Sequence, residues 1–215
     1  MKWLLAACLV ATATHAADMI ELRYVDQDPG DAPYLTRVLV TPDFLRMDDG
    51  EAGGDFILLD RKHRRVTNVM AETRRGMQFS TGRVPAMPPR LKIMKHIEAV
   101  KPGTYRVRVS ANGVQCSETV TARALHPEAQ RALIELKTVL AATQYRTWIN
   151  TPKELQRDCD LVNQVWTFRT AQERGLPMEE RDFSGRTRQL ESQRTLPVQD
   201  GLFKLPSGLT ILNSP

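Results

Sequence analysis

Catalytic signatures are the first thing missing from this 215-residue sequence. It holds no H-E-x-x-H pair, no C-x-x-C, no G-x-S-x-G elbow, no Ser-x-x-Lys and no glycine-rich phosphate loop. Motif-based zinc, dithiol, acyl-transfer and nucleotide chemistries are thereby set aside. Cysteine is scarce at three residues, histidine at four, and aromatics make up 6%. So few cysteines exclude a disulfide-dense scaffold. No apolar run reaches the roughly 20 residues a membrane-spanning helix needs. Fixed-period repeats and long low-complexity tracts are absent as well, so solenoid and disordered classes drop out.

What is present begins at the N-terminus. "MKWLLAACLVATATHAAD" places Lys2 before an apolar run from Trp3 to Ala13, followed by small residues. That order is a secretory signal peptide, residues 1–16, with cleavage after Ala16 and Ala13 or Ala17 as alternatives. "LAAC" imitates a lipoprotein box, but four residues before Cys8 leave no room for the apolar region such a signal needs. The expectation is a periplasmic or secreted chain whose mature part, 17–215, forms one domain with a real core. Cleavage leaves Cys116 and Cys159, and an even pair in an oxidising compartment reads as a disulfide. Closing a loop of about 40 residues removes roughly 4 kcal/mol of unfolded-chain entropy.

From Asp18 to Thr121 short alternating runs such as "MIELRYVD", "YLTRVLV" and "TYRVRVS" are separated by turn residues, with Asn112-Gly113 the best hairpin signal. "LKIMKHIEAV" fits a strand or a short helix. The period then changes. Pro127 opens a helix with Leu133, Leu136 and Leu140 on one face. A second helix is predicted from Thr151 as N-cap, with Pro152 and Glu154 completing a capping box, to Gly175. Its stripe of Leu155, Cys159, Val162 and Trp166 turns Cys159 to the core. Cys116 is placed inward with Val114, Val120 and Ala122. After Pro177 strands return in "MEERDFSG", "RTRQLESQ" and "LFKLPSGLTIL". The fold class is α+β: a curved antiparallel sheet, incompletely closed like an open barrel, with two late helices packed on it and a helical insertion at about 127–175.

Charge is segregated. Residues 18–60 hold 11 acids and 3 bases, whereas 61–108 hold 13 bases and 2 acids. Arg61, Lys62, Arg64, Arg65, Arg74 and Arg75 are candidate contacts to an anionic partner. The plainer account is pairing between acidic early strands and basic later ones.

Other candidates resolve toward structure. "DDGEAGGD" has the wrong spacing for a calcium loop, with adjacent Asp48 and Asp49 and Leu59 at the twelfth place, so it reads as a turn. Met77, Met87, Met94 and His96 lack the paired spacing of a copper site. No metal or cofactor is expected. Acids flanking Cys159 oppose a nucleophilic thiol, and Glu180 and Asp182 alternate on one strand as a candidate carboxylate pair.

The strand–turn–strand "FLRMDDGEAGGDFILLDRKHRRVTNV", with an Asp before a basic turn, and the terminal "FKLPSG", Phe203 to Gly208, resemble the LolA-like lipoprotein-carrier superfamily. That resemblance implies an incomplete antiparallel barrel, helices across its mouth and an apolar cavity. It transfers no individual residue. The late helices and the cysteine pair depart from it.

The resulting expectation is non-catalytic binding of a lipid, lipoprotein or envelope component, with peripheral membrane contact and no nucleic acid. Two other readings stand beside it. One is an envelope assembly factor meeting an acidic protein through segment 61–108; the other is a hydrolase without a recognisable motif.

Overall fold

The computed structural model describes residues 18–214, so the signal-peptide reading lies outside the described residues. Twelve strands form one sheet. They are β1 (Asp18–Gln27), β2 (Tyr34–Val40), β3 (Phe44–Asp48), β4 (Phe56–Asp60), β5 (Arg65–Met70), β6 (Arg75–Ser80), β7 (Ile93–Lys101), β8 (Thr104–Ala111), β9 (Val114–Ala122), β10 (Leu176–Asp182), β11 (Thr187–Pro197) and β12 (Thr210–Asn213). Their order is β12-β6-β5-β4-β3-β2-β1-β11-β10-β9-β8-β7. Every pairing is antiparallel except β12 with β6, which is parallel. The insertion carries helices α1 (Pro127–Asn150), α2 (Asp158–Leu161) and α3 (Arg169–Gln172), with a π turn at Val162–Trp166 between the last two. The sheet is curved and unclosed, as an α+β fold with an open, barrel-like sheet requires.

Bulges supply part of the bend, because an extra residue in one strand kinks it and increases local twist. Register slips fall at Cys116 on β9, Met178 on β10 and Glu191 on β11, three adjacent strands, and at Val100 on the edge strand β7. The bulge at Cys116 also corrects the alternation. Thr119 and Thr121, not Val120, are buried on the inner face, and Cys116 turns inward as the extra residue. A one-residue slip exchanges the two faces of everything beyond it.

Three clusters share the core. Leu22, Tyr24, Val38, Val40, Leu45, Leu59 and Val66 face Ala132, Leu133 and Leu136 of α1. The disulfide Cys116–Cys159, with a Cα–Cα distance of 4.9 Å, sits among Val107, Val109 and Val162 under α2 and the π turn. On the outer face Met19, Leu39, Phe56, Leu58 and Val69 are covered by Phe203 from the C-terminal segment. That segment is not the single strand predicted from "LFKLPSGLTIL". It makes a 3-10 turn at Asp200–Phe203, and β12 follows only after Gly208. Gly76 makes room for it, since a Cβ there would meet the Ile211 and Leu209 side chains at 2.8 and 2.9 Å.

The predicted second helix is broken. Thr151 ends α1 instead of opening the next helix: its N–H donates to Trp148 O and its hydroxyl to Thr147 O at 2.9 Å. The Gln156 amide donates to Trp148 O and Thr151 O, and Trp148 Nε1 donates to Arg157 O, which holds 151–157 out of a continuous helix. Leu155 is consequently exposed, not in the stripe. "LKIMKHIEAV" resolves as strand, in β7 at one edge.

Candidate functional site

A cavity of about 370 Å³ lies where the two inner clusters meet, between the helical cover and the sheet. Met47 of β3, Ile57 of β4 and Val107 and Val109 of β8 all line it. In the strand order β3 and β8 are six spacings apart, roughly 29 Å in a flat sheet. That both reach one small cavity measures how far the sheet curls. Leu136 and Leu140 descend from α1, and Phe168 and Phe183 come from the cover and the β10–β11 turn.

The floor is polar, and sheet register explains it. Val107, Thr119, Glu180, Arg188 and Asp26 are successive partners across β8, β9, β10, β11 and β1, one row on the inner face. Arg188 grips Asp26 through Nε at 2.8 Å and Nη2 at 2.9 Å, with Glu180 at 4.0 Å. Thr36 donates to Asp26 at 2.6 Å, and Arg186 adds a contact at 3.5 Å. Burial alone would raise the Asp26 carboxyl, but Arg188, Thr36 and Arg186 outweigh it and hold it below the ordinary range. Two carboxylates likewise keep the Arg188 guanidinium charged despite its burial. Tyr24, beneath that guanidinium at 5.2 Å, donates to Pro177 O at 3.0 Å, and burial pushes its phenol well above the usual value.

The helical cover closes the other side. The disulfide fixes it to β9, Asn163 Nδ2 donates to Cys116 O at 2.8 Å, Trp166 Nε1 donates to Pro85 O at 3.1 Å, and Arg90 bonds Asp158 at 3.0 Å. Gly175 ends the cover so close to β9 that a Cβ would meet Ala122 O at 2.3 Å. The π turn exposes Asn163, Gln164 and Thr167 to the cavity, as such bulges do at many functional sites. Burial, then the facing Asp182, raise the Asp160 carboxyl above its ordinary value.

Of the residues singled out from sequence, Cys116 and Cys159 are bonded beside the cavity. Glu180 and Asp182 both line it, although they act in different networks: Glu180 with Arg188, Asp182 in the turn through Ser184 and Arg186 N–H groups. The basic candidates do not converge. Arg61 is committed to Glu135 and Glu128 of α1, each at 2.5 Å. Lys62, Arg64 and Arg65 are exposed at one end of β5 and Arg74 and Arg75 at the other, about 20 Å away. Charge compensation occurs, but with other partners than expected. Glu21 and Asp26 pair with Arg194 and Arg188 of β11, and Asp48 pairs with Arg37 and Arg46 of its own segment. The reason is topological: β11, not a middle strand, is the neighbour of β1. "DDGEAGGD" is the β3–β4 connection, with Gly50 and Gly53 at positive φ and Asp48 accepting from Gly50 N–H at 3.0 Å. His63 lies in the β4–β5 turn, His96 on β7 and His126 at the cap of α1, three separate places. Asp26, Arg188 and Asp160 were not found from sequence.

The chain matches no protein-family model and no curated protein. Among solved structures, PNGF-II in a C2 crystal aligns over 92% of this chain and 31% of its own, with 11% identity and a TM-score of 0.45. PNGF-II in a P21 crystal aligns over 92% and 32%, with 9% identity and a TM-score of 0.39. The LolA superfamily protein NE2245 from Nitrosomonas europaea aligns over 89% of this chain and 91% of its own, with 9% identity and a TM-score of 0.32. The chain thus spans about a third of the length of PNGF-II. Similarities this low assign neither a family nor an activity. The LolA-like resemblance read from the sequence has a weak structural neighbour, and no family model or curated protein supports it.

Proposed function

We propose that this chain is an exported, non-catalytic binding protein that holds an amphiphilic lipid or lipoprotein acyl group between its helical cover and its curled sheet. The observation carrying this reading is the 370 Å³ cavity itself, with apolar walls from both layers over a charged floor. Its size falls within the roughly 300–1,000 Å³ usual for small-ligand sites. Apolar walls contribute affinity in proportion to the ligand surface they cover, about 25 cal/mol per Å². Asp26 and Arg188 already satisfy each other in a bidentate pair, so that part of the floor does not need a ligand charge.

Export is part of the proposal. It is supported by the formed disulfide and by the N-terminal sequence pattern; no helix among the described residues is long and apolar enough to cross a membrane. Native mass spectrometry of the protein extracted gently from the periplasm is the test. An added mass released by organic solvent is expected. A ligand-free species that also ignores acyl chains in solution would remove the proposal.

A further inference from the structure

Strand β7 ends the sheet, and one side of its backbone has no strand beside it. It pairs with β8 alone, and every residue after Ile93 is exposed. Met94, Ile97 and Val100 are 63%, 37% and 45% exposed, so three apolar side chains of one strand face solvent. The register shows which backbone groups are free. Ile93 lies opposite Ala111, and one step earlier in that register Lys92 O accepts from Asn112 N–H at 3.0 Å. Bonded and non-bonded pairs alternate along an antiparallel ladder. Met94, His96 and Glu98 therefore bond to β8, whereas Ile93, Lys95, Ile97 and Ala99 turn N–H and C=O to the open edge. The helical cover stops short of them: Val107 is buried, but Ile97 paired beside it is not. The opposite end of the sheet offers less, since β12 has only four residues.

An open ladder is a template for another strand, and proteins blunt such edges with lysines and bulges. Here the bulge lies at Val100, past a regular run from Ile93 to Ala99, and Lys95 fits wherever a small residue stands opposite it. We propose that this edge is occupied by β7 of a second copy, antiparallel about a twofold axis at Ile97. A twofold that keeps the two inner faces on one side must pass through a residue, because paired side chains share a face. Axes at Lys95 or Glu98 set like charges opposite each other, and an axis at His96 sets Met94 against Glu98. An axis at Ala99 sets Glu98 against Val100 and Ile97 against Lys101. The axis at Ile97 sets His96 against Glu98 of the other copy, twice, at the closer non-bonded spacing of about 4.5 Å. Glu98 is open to that contact: it is exposed and held loosely, by Arg108 at 3.4 Å and Arg106 at 4.0 Å. The same axis stacks Ile97 on Ile97 beside the Val107 of each copy, and sets Lys95 opposite Ala99. Lys95, Ile97 and Ala99 then form three bonded pairs across the seam, with two backbone hydrogen bonds each.

Sedimentation equilibrium of the purified chain from micromolar to millimolar concentration is the first test, with a reversible dimer expected. The seam falls among the interfaces below about 1,200 Å² that form weak, transient contacts. Hydrogen exchange in the dimer should slow at Lys95, Ile97 and Ala99 relative to dilute protein and stay the same at His96 and Glu98, already bonded to β8. Under mild oxidation Ile97→Cys should give a covalent dimer, because paired Cα atoms about 5.5 Å apart suit a disulfide. Met94→Cys should not, since the axis leaves it about 20 Å from its counterpart. His96→Glu keeps a partner in Arg108 of its own chain but faces Glu98 of the second copy, and should raise the dissociation constant about tenfold. Ile97→Pro removes an N–H that β8 does not use and should abolish the dimer in a chain that still folds. A chain monomeric throughout overturns the proposal and leaves the edge to an extended segment of another protein. A dimer that Ile97→Cys fails to cross-link, or whose exchange at 95–99 is unchanged, overturns it by placing the contact elsewhere. None of these outcomes bears on the cavity, so the two readings stand or fall separately.

Discussion

Removing the Cys116–Cys159 link should reveal what holds the cover in place. The bond closes a loop with a sequence separation of 43, and both sulfurs are buried in the cluster of Val107, Val109 and Val162. For a loop of that length, chain entropy gives about 4 kcal/mol at 25 °C, within the usual 2–5 kcal/mol for a native disulfide. Against a typical total stability of roughly 5–15 kcal/mol this is a large share. The perturbation is the double variant Cys116→Ala, Cys159→Ala, because reductant reaches buried sulfur poorly. Urea unfolding followed by circular dichroism reads the global loss, expected at about 3–4 kcal/mol. Hydrogen exchange reads where it falls. Amides of 158–172 should lose protection before those of α1, because α2, the π turn and α3 are short and rest on the disulfide and few other ties. A loss under about 1 kcal/mol, or uniform loosening of the sheet, would refute the argument.

Further outcomes follow from the same packing. Glu21, Asp26 and Asp48 all titrate below their ordinary values in the fold, so their stabilisation is full above about pH 5 and is lost as pH falls through the folded values. Asp160 acts with the opposite sign, and Asp160→Asn should raise neutral-pH stability while removing that component from an acid titration. Asp26→Asn leaves Arg188 without its bidentate partner and should cost about 3–5 kcal/mol, measured by denaturant midpoint at pH 7. Gly175→Ala pushes a Cβ into Ala122 O and should cost at least about 2 kcal/mol, whereas Gly201→Ala, in open space, should change little. Phe203→Ala uncovers Met19, Leu39 and Phe56 and should cost about 3–5 kcal/mol, with faster proteolysis after residue 198 as its local signature.

Much of the sheet was legible because strands leave period-2 patterns bounded by turn residues, and the disulfide because only two cysteines remain after the proposed cleavage. The broken second helix was not. Its capping box at Thr151 is a genuine local signal, overruled by hydrogen bonds from Gln156 and Trp148 that depend on tertiary placement. Bulges carry no sequence mark either, so the face of Cys116 was assigned beside the wrong neighbours even though its inward direction was correct. The cavity floor was illegible for a different reason. Asp26 and Arg188 are 162 positions apart, and only the adjacency of β1 and β11 joins them. Asp160 was read as a neighbour of a thiol, when in the fold burial and then the nearby Asp182 raise its carboxyl.

The account turns on whether the space under the helices receives a hydrophobe. Titration of N-phenyl-1-naphthylamine into the wild-type chain and into Leu140→Trp, whose ring would fill the cavity from α1, addresses this most directly. One saturable site in the wild type, lost in a Leu140→Trp variant that still unfolds cooperatively, is the predicted result. No binding by the wild type, or binding indifferent to the added ring, would contradict it.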